Sequence, residues 1–329
     1  MPAAGRIFGE MTRTLTPPSY DHSRRRTWVQ HLWREWVVES WRPIAPASAR
    51  PEPEQWDNSR LTLAWLGHAT VLINFFGVTV LTDPALFPRI GIRLPFFTIG
   101  PKRLTQPALK WNELPPIDLV LLSHAHFDHF DMRTLHRFSK KTAIITAPWT
   151  RDLLRWTRFR DITELRFGEE HVITTPAGTM SVKAIRVKHW GTRLRHDNFR
   201  GYNGYVLEGN GRRLIFAGDT AFTDEFAALR DGRAYDVAIM AIGAYDPWIR
   251  SHGTPEQAIA MCDAAGVNYI VPVHHQTFRL SFEPFREPIE RFEAALQNEP
   301  KRIALREIGE TFVLPLEPSL RQLRSCSVA

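Results

Sequence analysis

Residues 119–131 read LVLLSHAHFDHFD. The aliphatic half suits a strand buried in a sheet, but the imidazoles and carboxylates behind it cannot enter an apolar core without partners. The strand must therefore end at an edge where polar side chains have something to bind. Side chains alternate along an extended chain, so His124 and His126 point the same way. Asp128 and His129 follow where the chain turns toward a helix expected from about Asp131.

The same ending recurs downstream. SVKAIRVK ends in His189, RLIFAG in Asp219, and YIVPV in His274 and His275. Four candidates from one turn plus those of three other strands exceed what one tetrahedral ion needs. Zinc takes His nitrogen and Asp oxygen in three or four positions and, when catalytic, leaves one for water. Two sets can be composed: His124, His126 and His189 for one ion, and Asp128, His129 and His274 for the other, with Asp219 able to bridge. A hydroxide shared by two metals is a nucleophile at neutral pH, and the metal pair stabilises charge on an attacked phosphoryl or acyl group. Core histidines satisfied beside helix caps are the alternative, and would account for one such residue better than for the whole pattern.

From residue 61 onward short β-type runs are divided by Gly, Asn and Pro, including LTLAWLG, ATVLINF, VTVLTDP, TAIITAP, GYVLEG and DVAIMAIG. Several are apolar throughout, which predicts cover on both faces. Helices are predicted at DMRTLHRFSK, WTRDLLRWTR, FTDEFAALRDG, TPEQAIAMCDAAG and REPIERFEAALQNE. In TPEQAIAMCDAAG, Thr254 is placed as N-cap, Pro255 at the first helical position and Gly266 just past the end. Sheets packed together with helices outside follow from this order. GYNGY and GNGRR read as hairpin turns rather than nucleotide loops.

Residues 1–60 differ: an arm, a helix at TWVQHLWREWVVESW and a Pro-rich linker precede the domain at 61–315, and 316–329 form a tail. The Trp-rich helix behind Arg24, Arg25 and Arg26 suits packing on the main domain, a membrane surface or a homodimer contact. At 43% hydrophobic residues the chain of 329 can fill a sizeable core, and its net charge of +7 favours acidic partners. Two cysteines build neither a disulfide framework nor a thiolate site. With no apolar stretch of about 18 residues and no continuous signal core, the expected place is the cytoplasm, with peripheral membrane contact open.

SHAHFDH resembles the metal-binding motif of the metallo-β-lactamase superfamily, and KHW, GDT and VHH fall where that superfamily has its remaining ligands. The resemblance covers about residues 61–315 and implies an α+β fold, the four-layer αββα sandwich. WLGHATVLI, LTDP, GPKR, FAGDTAF, IGAYDPW and HGTPEQA resemble the branch of N-acylphosphatidylethanolamine-hydrolysing phospholipases D and their bacterial relatives. That branch implies the seven ligands above, with His274 rather than His275, and two zinc ions, iron or manganese being the other candidates. It implies His252 near the scissile group, catalytic roles for Asp128 and Asp219, and Asp83 as acceptor of a proton from a ligand imidazole. His68 is expected to pack beneath the site, while His22, His31, His136, His171 and His196 have no strand-end context.

The implied reaction is metal-hydroxide attack on the phosphorus of an N-acylphosphatidylethanolamine-like phospholipid. A lactonase of the ascorbate-phosphate lactonase type would direct the same nucleophile at a carbonyl. A nuclease would suit the charge, yet the inserted domain that some such enzymes carry is missing between Asp219 and His274. A non-catalytic binding protein would be expected to lack ligands. An iron-dependent oxygenase on this fold is expected to lack the second metal set. The loop LFPRIGIRLPFFTIGPKRL, 86–104, combines apolar, aromatic and basic residues, as an acyl-binding wall or a packed cover loop would.

Overall fold

The structure, a computed structural model, describes residues 39–194 and 196–316. The chain divides into two compact units at Arg42/Pro43. The first is described only over its last residues, a single helical turn at Glu39–Trp41. The rest of the segment predicted as a Trp-rich helix and the tail beyond residue 316 lie outside the described residues.

In the second unit, β1 (Leu61–Gly67), β2 (Thr70–Phe75) and β3 (Val78–Thr82) form an antiparallel meander. A small hairpin of β4 (Ile92–Arg93) and β5 (Thr98–Ile99) stands as a sheet of its own. Then β6 (Leu119–Leu121), β7 (Ala143–Thr146) and β8 (Ile162–Glu164) add in parallel beside β3. A second meander of β9 (Glu170–Thr175), β10 (Gly178–Ile185), β11 (Gly204–Gly209) and β12 (Arg212–Phe216) continues in parallel through β13 (Tyr235–Ala241) and β14 (Val267–Val273). The last strand, β15 (Thr311–Val313), returns to β1. The orders are β15-β1-β2-β3-β6-β7-β8 and β14-β13-β12-β11-β10-β9.

Alternation along the second sheet sorts its residues. Met180, Val182, Leu207, Phe216, Val237 and Val271 share a buried cluster with Trp65, Leu119 and Leu121 of the first sheet. Residues of opposite parity, Val206, Ile215, Ala238, Met240 and Ile270, pack instead with Ala258 and Cys262 of the helix Pro255–Ala265 and Phe292 of the helix Glu287–Ala295. The fold is thus an α+β sandwich of two mixed sheets.

Its helices are fewer than predicted, and two of them are shorter. α1 spans Met132–Leu135, α2 Pro255–Ala265 and α3 Glu287–Ala295. α2 has the predicted ends: Thr254 and Gln257 form a capping box, and Gly266 closes the helix at φ 80°. WTRDLLRWTR yields only the 3-10 turn Arg151–Leu154, because its apolar residues make no stripe: Leu154 is buried and Trp156 exposed. FTDEFAALRDG yields another 3-10 turn, Asp224–Leu229, in which Phe226 alone is buried. GNGRR makes a turn between β11 and β12, with Asn210 and Gly211 at positive φ. GYNGY does not; it leads into β11, where Tyr202 bridges to His124 and the Asn203 amide donates to Ser123.

Direction decides where chemistry collects. β1 runs parallel to β3 across antiparallel β2, and β10 runs parallel to β12 across β11. Together with the parallel additions, β1, β3, β6, β10, β12 and β14 all end at one edge of the sandwich.

Candidate metal centre

Six segments leave those strand ends and deliver His68, Asp83, the turn 124–129, His189, Asp219 and His274. Three of the six start in the left-handed region, with φ 55° at His68, 32° at Asp83 and 66° at His274. A non-glycine residue there costs on the order of 1–2 kcal/mol, an expense tolerated where the chain must fold a side chain back over a sheet edge. Gly218 lets the Asp219 turn close on β6, since a Cβ there would lie 2.6 Å from that of Ser123.

Two groups of ligand atoms converge. In the first, His126 Nδ1 lies 2.8 Å from His124 Nε2 and 3.4 Å from His189 Nε2. The outward nitrogens are already engaged: His124 Nδ1 with Ser123 Oγ at 2.8 Å, His189 Nδ1 with the Ser251 carbonyl at 3.0 Å. In the second group, Asp128 Oδ2 is 3.4 Å from His129 Nε2 and 3.5 Å from His274 Nε2. His129 Nδ1 is held by Asp83 Oδ2 at 2.7 Å, and Asp83 also accepts from the Ser123 amide and hydroxyl.

Asp219 stands between the groups. Its Oδ2 lies 3.0 Å from His129 Nε2, 3.2 Å from His274 Nε2, and 3.8 Å from both His124 Nε2 and His189 Nε2. His129 Nε2, both nitrogens of His274 and Asp219 Oδ1 are buried without a hydrogen-bond partner. Orphaned donors and acceptors crowded in one place fit cations better than they fit one another. Ligands at about 2.0–2.1 Å on a tetrahedral ion would stand roughly 3.3 Å apart, within the range of spacings here.

The electrostatics agree. Burial pushes His124 and His189 well below the ordinary imidazole range and His126 down to about 4. Burial opposes charge on His129 too, yet Asp219, Asp128 and Asp83 overcome it and hold it well above its ordinary value. In the same way Asp219 and Asp128 raise His274 to about 9 against burial. Burial would raise the Asp128 and Asp219 carboxyls, but His129 and neighbouring imidazoles keep both well below the ordinary carboxylate range.

The remaining candidates fall into place around this core. His252 is buried, its ring 5.0 Å from His189 and 5.1 Å from His274, with Nδ1 3.9 Å from Asp219 Oδ2. His275 turns away, its ring 4.5 Å from Trp65 and Nε2 3.3 Å from the Pro272 carbonyl. His68 does more than pack: its Nε2 meets Asp128 Oδ2 at 2.9 Å, and its ring lies 4.1 Å from His274. The rule that strands end in ligands, applied to WLG-His68, would have found it. Trp190, stacked on His189 at 4.5 Å and edge-on to His126 at 4.9 Å, walls the first group. His136 and His196 are exposed and His171 is half-buried on β9, all away from these groups; His22 and His31 lie outside the described residues.

Residues 79–275 match the model of the β-lactamase superfamily domain. The chain belongs to this family. It is 32% identical over 274 residues to an uncharacterised protein of Mycobacterium tuberculosis, covering 80% of this chain and 72% of that one. It is also 32% identical to N-acyl-phosphatidylethanolamine-hydrolyzing phospholipase D 1 of Caenorhabditis elegans, over 70% of this chain and 68% of the relative. Isothiocyanate hydrolase from Delia radicum gut bacteria shares the fold at TM-score 0.60 and 18% identity, over 78% of this chain and 99% of that one. CmlA, a diiron β-hydroxylase from Streptomyces venezuelae, does so at TM-score 0.54 and 19% identity, over 78% of this chain and 54% of its own. The chain is a metal-dependent hydrolase of this superfamily, with His and Asp clusters able to bind metal ions.

Proposed function

We propose that the chain is a binuclear phosphodiesterase, with two zinc ions, acting on phospholipids of the N-acylphosphatidylethanolamine type. The observation behind the two-metal reading is the place of Asp219 Oδ2, within 3.8 Å of imidazole nitrogens from both ligand groups. The substrate class is suggested by the name of the Caenorhabditis elegans relative.

His124, His126 and His189 would hold one ion; Asp128, His129 and His274 the other; Asp219 would serve both. When bound, such a pair supplies a water-derived nucleophile at neutral pH and neutralises charge on the attacked phosphoryl group. The chain's own groups orient the rest. Asp83 fixes the His129 ring through Nδ1, so that Nε2 faces the centre. His68 holds Asp128 by its Oδ2, which sets the direction of the remaining lone pairs. Burial pushes His252 down to about 4, so at neutral pH it is uncharged, with one N–H to donate to a phosphoryl oxygen or the departing alkoxide.

Metal analysis of the purified protein, paired with hydrolysis of bis(p-nitrophenyl) phosphate before and after chelation, tests the reading. Two metals per chain and chelator-sensitive turnover are expected. One metal, or lactone turnover without phosphodiester turnover, would refute it.

A further inference from the structure

The β4–β5 hairpin is absorbed neither by the core nor by the metal centre. Its construction is specific. Gly91 and Gly100 oppose each other at its neck with φ of 117° and 144°. A Cβ on Gly91 would lie 2.0 Å from the Ile99 carbonyl oxygen, and one on Gly100 2.2 Å from that of Ile90. Only glycines allow the two strands to pinch here. The Leu94 amide bonds the Phe97 carbonyl across the tip, and the Arg133 guanidinium donates to Thr98 Oγ1, tying the hairpin to α1.

What this projects is unusual for a soluble surface. Phe96 is 97% exposed, Phe97 51% and Ile92 46%. Beside them Phe87, Arg93, Thr98, Arg133 and Arg137 line a cleft of about 470 Å³. Arg133 lies over the Phe87 ring at 4.1 Å and Arg137 at 5.7 Å. Among the described residues, Arg93, Arg133 and Arg137 have no carboxylate within ion-pair distance. Three guanidiniums sharing one cleft repel one another, the buried Asp131 carboxylate behind Arg133 offsetting only part of this, an arrangement stabilised by an anion placed among them. Aromatic residues at a tip with cations behind them match the depth order of a membrane interface, apolar inside and phosphate at the surface. No helix among the described residues is long and apolar enough to cross a membrane, so attachment through these residues would be peripheral.

We propose that the β4–β5 hairpin docks the protein on an anionic phospholipid surface, Phe96 and Ile92 entering the acyl boundary while the cleft of Arg93, Arg133 and Arg137 takes headgroup phosphates. This deepens the lipid-substrate reading by naming its interface, and rests on that reading only for its purpose, since docking needs no turnover. The hairpin reaches the centre through chain continuity: Arg133 lies on the helix that opens four residues after Asp128.

Flotation of the full, metal-loaded chain with phosphatidylcholine vesicles, with and without phosphatidylglycerol, tests it. Binding is expected to require the anionic lipid and to fall in 0.5 M salt. F96S and R133Q/R137Q should each weaken it, the latter about 25-fold at roughly fivefold per charge. Both variants should keep wild-type hydrolysis of bis(p-nitrophenyl) phosphate, which shows that they fold. Equal binding to neutral vesicles, no binding to either, unchanged binding by both variants, or retention on single-stranded RNA alone would overturn the proposal. Vesicle binding by a protein that cleaves no phosphodiester would sink the proposed reaction and leave the docking surface standing.

Discussion

Asp83→Asn separates the two metal groups. The carboxylate is fully buried and makes three bonds: from the Ser123 amide to Oδ1 at 2.7 Å, and from the Ser123 hydroxyl and His129 Nδ1 to Oδ2. Asparagine keeps the volume but carries one acceptor oxygen. The Ser123 amide is a fixed donor and claims that oxygen, so the NH2 faces His129 Nδ1. That nitrogen must then accept, and the ring's proton moves to Nε2, the atom that faces Asp128 and Asp219. A charge-assisted bond of about 1.5–3 kcal/mol is lost, and a metal must now compete with a proton for Nε2. The affinity of the ion on Asp128, His129 and His274 should fall about 10–100-fold, or roughly 1.4–2.8 kcal/mol. The ion on His124, His126 and His189 feels the change only through Ser123 Oγ and should be far less affected. Competition against a chromophoric chelator, fitted to two sites, reads both constants. Two wild-type affinities, or equal loss at both sites, would refute the reasoning.

Asp219→Ala should remove both ions while leaving the far-ultraviolet circular dichroism unchanged; unaltered metal content would show that Asp219 serves neither group. His274→Ala should cost one ion and activity, whereas His275→Ala should keep both ions yet lower stability by about 1–3 kcal/mol, since that ring fills core space against Trp65; the reverse pattern in metal analysis would mean that the two neighbours have been confused. Because carboxylates raise His274 to about 9 in the metal-free protein, metal must displace its proton, and zinc affinity should climb from pH 6 to 9 with proton release measurable by calorimetry in two buffers. The same raised value gives the metal-free protein a stabilising contribution that is complete below the unfolded value of about 6.5 and lost as pH rises through 9, so its thermal midpoint should drop over that window; a flat profile with no proton release would count against it.

The sequence by itself determined most of what a local signal can encode. Aliphatic runs closed by His or Asp marked β6, β12 and β14 as ligand-bearing, and Thr254, Pro255 and Gly266 bounded α2, because capping chemistry is written in adjacent residues. Strands without an apolar run were not legible: β9 exposes half of EHVITT, and β15 is three residues whose only reason to be extended is the partner edge of β1. WTRDLLRWTR looked helical by propensity, but propensity without a buried stripe does not hold a helix. Tertiary structure alone decided which ligands share an ion, because that depends on two sheets bringing strand ends of the same direction to one edge. It decided that His68 reaches Asp128, since the two are 60 residues apart in sequence and meet only where β1 and the turn after β6 end together. It also decided that 86–104 divides, with Leu86, Ile90 and Arg103 buried while Ile92 and Arg93 pair with Ile99 and Thr98 in a hairpin that leaves Phe96 exposed. Pattern within a segment can tell which side chains want a partner; only packing brings the partner to them.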